Sequence, residues 1–207
     1  MPWLVSHGFF FLSYFHSILS IQRLHAEITD VSNRKDNKTN IMENKTIIIQ
    51  ESTYDDIKNI QSLWADEDVM RFIWPGGLHE TEEGVREYLD RIFDARPKSN
   101  YYSIFYDGKY FGETQYKIDE STRSAALDIK LFKFAQGRGI ATKALTYSIQ
   151  EAFKHGALSV WVDPHPLNEK ALRLYHKLGF VQKEMPEHVI ALGEDPDLYV
   201  YLELRKE

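Results

Sequence analysis

Between a predicted strand and an amphipathic helical pattern the chain reads Gln136-Gly137-Arg138-Gly139-Ile140-Ala141-Thr142. Two glycines at such a join let the backbone come close to a ligand. The helix that follows opens with unpaired N–H groups and the positive end of its dipole. Together these make a cradle for phosphate, and Arg138 and Lys143 add positive charge beside it. A plain tight turn accounts for a bare Gly-x-Gly equally well. A Walker loop is excluded, because no Gly-x-x-x-x-Gly-Lys-Ser/Thr occurs. A dinucleotide fingerprint comes closer, with Gly137, Gly139 and Asp163 at the end of the next strand, but Thr142 stands where a third glycine belongs.

The flanking pattern narrows the fold. Thr46 to Gln50 is a β-branched strand, and Thr53 caps a helix carrying Ile57, Ile60 and Trp64. Thr81 opens a second helix whose Val85, Tyr88, Leu89, Ile92 and Phe93 share one face. Tyr101–Tyr106 and Lys109–Ile118 are strands joined by Asp107-Gly108, a favoured hairpin turn. Ser124–Phe132 is a third antiparallel strand, then come the glycine loop and a helix from about Gly139 to His155. Leu158–Val162 reads as a buried strand, Asn168–Leu178 as a helix, Gly179-Phe180-Val181 as a strand and Leu198–Leu204 as the last strand. The order β-α-α-β-β-β-α-β-α-β-β predicts an α/β domain with a mixed sheet. Hairpin strands before the loop, and too little chain after it, exclude a doubly wound dinucleotide fold.

Composition removes several function classes. With 25 Lys and Arg against 31 Asp and Glu, the chain of 207 residues carries a formal charge of −6, which disfavours nucleic acid and anionic membranes as partners. There is no cysteine, so disulfides, thiolate metal sites and an acyl-cysteine intermediate are excluded, and a reducing, cytoplasmic location is expected. The histidines lack ligand spacing, since His79-Glu80 is not His-Glu-x-x-His, and no metal is expected.

A second motif lies downstream, Asn168-Glu-Lys-Ala171-Leu-Arg-Leu-Tyr175-His-Lys177-Leu-Gly179-Phe180. Asn168, Ala171, Tyr175 and Leu178 share one helical face. On spacing alone Tyr175 reads as core, and Asn168 as an N-cap after Pro166. In combination the two motifs resemble the GNAT superfamily of N-acetyltransferases. Gln136, Gly139 and Ala141 match its coenzyme A loop, Gln/Arg-x-x-Gly-x-Gly/Ala, and the second stretch matches Asn-x-x-Ala-x-x-x-Tyr-x-Lys-x-Gly-Phe. The resemblance covers about Thr46 to Arg205.

That resemblance implies a mostly antiparallel mixed sheet, flanked by helices and splayed between its two central strands. It implies acetyl-CoA as co-substrate, held by Leu131, Phe132, Gln136, Gly137, Arg138, Gly139, Ile140, Ala141, Thr142, Asn168, Ala171 and Lys177. Pro164 and Pro166 cannot continue a ladder, so pairing with the Asp128 strand should stop beyond Asp163. The acetyl group passes directly to a primary amine. Tyr175 faces the thioester sulfur and protonates it, a backbone N–H near Leu131 serves the carbonyl oxygen, and Asp128 or Asp163 is the base. The family often has Glu on the strand before the glycine loop, where this chain has Ala125-Ala126-Leu127-Asp128, so the identity of the base is open.

The acceptor is expected to be a small cationic molecule or a protein N-terminus. The helices around Asp68–Phe72 and Thr81–Val85 look like the branch with ribosomal-protein N-terminal acetyltransferases. The Asp163-Pro-x-Pro-x-Asn168 box and Tyr199-Val-Tyr-Leu look like aminoglycoside 6′-N-acetyltransferases. Asp66, Glu67, Asp68, Glu80, Glu82 and Glu83 either draw a polycation or form a solvated helix surface, and Trp64, Phe72 and Trp74 are pocket wall or core. A noncatalytic acyl-CoA-binding module and a dinucleotide-binding oxidoreductase remain the alternatives, and a homodimer is left open. The catalytic domain is expected to span 42–207. Residues 1–41, with a short Phe9-Phe10-Phe11-Leu12 run and a polar stretch from Thr29 to Asn40, form an extension, a weak apolar helix or upstream sequence read from an early start codon. The run falls short of the ~20 apolar residues a membrane span needs.

Overall fold

A computed structural model describes residues 46–206; the readings for 1–41 and the boundary at Met42 lie outside the described residues. Strands β1 (Ile47–Glu51), β2 (Ser99–Tyr106), β3 (Lys109–Ile118), β4 (Ser124–Leu131), β5 (Ser159–Val162), β6 (Val181–Gln182) and β7 (Leu202–Arg205) form one sheet in the order β1-β2-β3-β4-β5-β7-β6. Every described pairing is antiparallel except β4 with β5. The hairpin between β2 and β3 turns at Asp107 and Gly108, both at positive φ, as a two-residue loop matching strand twist requires.

Side-chain alternation along the strands sorts the helices onto two faces. Helix α4 (Ile140–Lys154) covers one face with Ile140, Ala144, Leu145, Ser148, Ile149 and Ala152, where Tyr102, Tyr116, Leu127 and Val160 meet it. Helix α1 (Ile57–Trp64) and helix α3 (Glu82–Asp94) cover the other, burying Ile57, Ile60, Trp64, Val85, Tyr88, Leu89 and Ile92 around Tyr101. The Thr81 hydroxyl accepts from Gly84 N–H and caps α3, a contact worth about 1 kcal/mol. Short α2 (Glu67–Met70) follows α1, helix α5 (Glu169–Lys177) follows β5, and α6 (Glu187–Ile190) precedes β7. Among the described residues no helix is long and apolar enough to cross a membrane.

The parallel seam is short. Only Ser124, Ala125 and Ala126 pair with Ser159, Val160 and Trp161, so the two strands part beyond Trp161. The opening therefore starts two residues earlier than the prolines alone imply. The last strand also differs from expectation, beginning at Leu202 rather than Leu198. Leu198 and Tyr199 donate to Asp195 O in a turn, and Val200 N–H reaches Pro164 O at 3.0 Å, so this stretch closes over the parted strand ends instead of joining a ladder. Helix α6 was not legible in the sequence. Leu158, expected in a buried strand, precedes β5 and is exposed.

Candidate active site

The glycine loop forms as its residue types dictate. Gly137 and Gly139 sit at φ +75° and +74°, the left-handed region that glycine adopts without penalty. A Cβ at either would meet no protein atom within 4 Å, so the space above them is open. No side chain caps α4, and its first N–H groups face that space. Gln136 braces the loop, its Nε2 donating to Leu131 O at 3.3 Å.

The loop is one wall of a groove of about 770 Å³ that runs past the parted strands to α5. Leu131, Gln136, Gly137, Gly139, Ala141, Thr142, Asn168, Ala171 and Lys177 all line it, together with Arg71, Lys133, Lys170 and Arg173. Asp68 is its one acid among the described residues, bound to Lys133 at 2.9 Å. The β3–β4 register, with Phe132 N–H on Phe111 O, turns the alternate main-chain groups of Leu127, Ile129 and Leu131 toward the opening. An uncapped helix start, open space over two glycines and a cationic rim fit a pyrophosphate with an extended arm.

Three expected cofactor residues take other positions. Ile140 turns its side chain into the core beside Ile104 and Phe111, leaving its N–H for the loop. Exposed Arg138 lies 5.8 Å over the Phe111 ring, outside the groove lining. Phe132, just past the end of β4, keeps its N–H on Phe111 O and stacks its ring on Phe134 at 5.3 Å. Asn168 lines the groove and caps α5, accepting from Ala171 N–H at 3.3 Å.

A second cavity, of about 170 Å³, lies on the α1/α3 face of the same opening. Trp64, Tyr88, Trp161 and Tyr199 supply aromatic walls, and Asp128, Asp163, Glu194 and Lys130 supply charge. Lys130 and Ile73 line both spaces. The acidic residues suspected from the sequence, Asp66, Glu67, Asp68, Glu80, Glu82 and Glu83, lie outside this pocket; Phe72 lines the groove, and Trp74 lines neither space. The acids that face the pocket sit on β4, after β5, and on the loop before β7.

Behind the pocket lies a charge network. Glu113, 1% exposed, accepts from Trp64 Nε1 at 2.9 Å and faces Lys130 Nζ at 3.5 Å. Burial pushes the Glu113 carboxyl up, and Lys130 opposes that shift. Lys130 also bonds Asp128, whose Oδ2 accepts from Gln115 Nε2 at 3.4 Å. Burial works against the ammonium, yet Asp128 and Glu113 outweigh it and hold Lys130 protonated above the usual lysine range.

Asp163 and Glu194 both line the pocket, their carboxyl groups against each other. Burial first, then the neighbouring Glu194 and Asp128, raise the Asp163 carboxyl well above its ordinary range; burial raises Glu194 as well. Tyr175 is 7% exposed and packs on Phe180 at 5.6 Å, in the core between sheet and α5. Burial, then the charges of Asp128 and Asp163, keep its phenol protonated above the usual range. Glu113, Lys130 and Glu194 belong to no motif, and Tyr199 stood out only within the Tyr199-Val-Tyr-Leu stretch, with no place in a pocket. A carboxylate midway along a predicted strand was the available signal for Glu113.

A mixed sheet opened at its parallel seam, with an anion-suited groove on one side and an acidic pocket on the other, is the architecture of an acetyltransferase fold. The acetyltransferase (GNAT) domain model matches residues 46–181, and the chain belongs to that family. Solved structures agree in fold. A spermidine N-acetyltransferase from Vibrio cholerae, in complex with CoA and spermine, is 18% identical with a TM-score of 0.62, covering 77% of this chain and 95% of its own. The yncA protein of Salmonella typhimurium, with its cofactor acetyl-CoA, is 17% identical with a TM-score of 0.63, covering 78% and 95%. A ribosomal-protein-alanine N-acetyltransferase from Brucella melitensis is 17% identical with a TM-score of 0.60, covering 77% and 98%.

Proposed function

We propose that this acetyltransferase uses acetyl-CoA and passes its acetyl group directly to the primary amine of a small cationic molecule or a protein N-terminus. The meeting of groove and acidic pocket at the parted strands, with Lys130 and Ile73 common to both, carries this reading. A noncatalytic carrier of acyl-CoA has no use for the second cavity. Acetyl-CoA, when bound, supplies an activated acetyl thioester.

The residues divide the work by chemistry. The N–H groups of Gly139, Ile140, Ala141 and Thr142 hold the anionic end, with Gly137 giving clearance, Arg138 and Lys177 supplying charge, and Gln136 and Phe132 fixing the loop. Ala171 is small enough to leave room for a thin arm beside Asn168. The Leu131 main chain orients that arm and offers its N–H to the carbonyl oxygen. Asp163 takes a proton from the amine. Asp128, fastened by Lys130, orients the acceptor. Tyr175, held protonated, hands its proton to the leaving sulfur. The chain's lack of cysteine suits the cytoplasm.

Relatives in fold that act on spermidine and on ribosomal protein define the first acceptors to try. The test measures thiol release from acetyl-CoA with polyamines, aminoglycosides, amino acids and N-terminal peptides. Turnover with one amine class is the expected result. Tight acetyl-CoA binding with no thiol release from any amine would overturn the transfer reading, and binding of NAD instead would overturn the groove assignment.

A further inference from the structure

We propose that Asp163 and Glu194 act as one unit, a carboxyl pair sharing a single proton that grips the acceptor's ammonium and takes up the proton it sheds. This rests on the acetyl-transfer reading above and adds Glu194, on the loop between α6 and β7, to the reacting groups.

The geometry begins with a turn. Asp195 O accepts from Leu198 and Tyr199, and Asp195 Oδ1 accepts from Asp197 N–H at 2.9 Å. The Val200 N–H to Pro164 O bond, at 3.0 Å, then sews this loop to the end of β5. Glu194 is thereby set against Asp163, and both line the acceptor pocket, where their side chains bond each other. Two carboxyl groups in such contact cannot both ionise cheaply, so one proton stays between them.

The remaining acid of the pocket, and the one behind it, are engaged. Asp128 carries the Lys130 ammonium. Glu113 is buried behind Trp64 and Lys130. Asp163 and Glu194 keep partial exposure to the cavity. The charged and titratable groups around the pair are Asp128 and Lys130 from β4, Lys117 from β3, Tyr88 from α3, Tyr175 from α5 and Tyr199 beside the turn. Burial, Asp163 and Glu194 push the Tyr199 phenol up to about 12, so it stays a neutral donor near the pair. With about 170 Å³ of space the pocket takes one amine end and a short body, for a cavity of about 150 Å³ holds a benzene.

The proton count closes. A protonated amine sheds two protons as its nitrogen forms the N–C bond and the C–S bond breaks with its electron pair on sulfur. One proton passes to the pair and then to solvent, and the other ends on the departing thiol. The pair binds the ammonium through its remaining negative charge.

The experiment uses the full chain with Glu194→Gln, Asp163→Asn and the double variant, assayed on the best amine from the panel. Each single change should lower kcat/KM by about 100-fold at neutral pH. The double variant should fall within about threefold of the worse single, because the two groups act together. In each single variant the acid limb of the pH profile should move up, by up to about one pH unit, since the survivor loses the shared proton that steadied the pair's remaining negative charge. Acetyl-CoA affinity by calorimetry should stay unchanged, which also reports correct folding. The infrared spectrum at pH 7 should show a protonated carboxyl band that both single variants lose. Near-wild-type rates in either single variant, losses that multiply in the double, or no such band in the wild type would each overturn the proposal. A wild type that binds acetyl-CoA yet acetylates no amine removes the transfer reading and the pair's catalytic part; the infrared band still decides whether the proton is shared.

Discussion

The two sides of the parted strands are built from different materials. The groove side is mostly main chain: an uncapped helix start, two glycines at positive φ and the outward edge of β4. Its charge comes from basic side chains at the rim. The pocket side is mostly side chain, with Trp64, Tyr88, Trp161 and Tyr199 around acids and one buried lysine. Main-chain recognition suits a ligand with a fixed skeleton, because it reads shape and phosphate rather than identity. Side-chain recognition can be changed one residue at a time, which suits an acceptor that differs between relatives. Substitutions should therefore separate cleanly into those felt by the co-substrate and those felt by the acceptor or the core.

The largest expected effect is on the pocket side. Lys130→Ala leaves Glu113 buried without its cation and should destabilise the fold by about 3–5 kcal/mol, read from urea unfolding. A loss under about 1 kcal/mol would mean that the neutral donors Trp64 and Tyr110 suffice to hold Glu113. Tyr175→Phe should cut turnover by about 100-fold while acetyl-CoA affinity holds, as a lost acid at the low end of the usual range implies. Equal turnover would leave Tyr175 as core only. Gly139→Ala should lower stability by only about 1–2 kcal/mol, the cost of left-handed backbone, because its Cβ meets open space. Its acetyl-CoA affinity should fall at least about tenfold, since that space is what the ligand would fill. The smallest effect belongs to Asn168→Ala, about 1 kcal/mol for the lost α5 cap, with turnover little changed. A large affinity loss there would move Asn168 from cap to ligand contact.

That division also explains what could be read from the sequence. Gln136 to Thr142 is contiguous, and its chemistry depends on local backbone, so the residue types announce the site before any fold is known. The same holds for Thr81 and Asn168, whose capping follows from neighbours three residues away. Helix boundaries followed apolar spacing, and the hairpin followed Asp107-Gly108. The pocket draws on α1, α3, β3, β4, β5 and the loop before β7, and no local pattern links Trp64 to Glu113 or Asp163 to Glu194. Lys130 looked like one polar residue in an alternating strand. Only the sheet register, which sets Lys130 opposite Glu113, makes it the bridge between two acids. The early end of the β4–β5 ladder and the late start of β7 escaped notice for the same reason. Both depend on where Pro164 O finds its partner, a residue far along the chain.

Among the described residues, three rungs, Ser124 to Ala126 against Ser159 to Trp161, with the Leu158 N–H to Arg123 O bond of 2.7 Å beneath them, are the main-chain fastening of the β1–β4 half of the sheet to the β5–β7 half along this edge. Above them the molecule resembles an unlaced boot, its flanks drawn together by whatever lies across the gap. A guest spanning that gap acts as the missing lace, so the occupied protein is the stiffer and more heat-resistant of its two states.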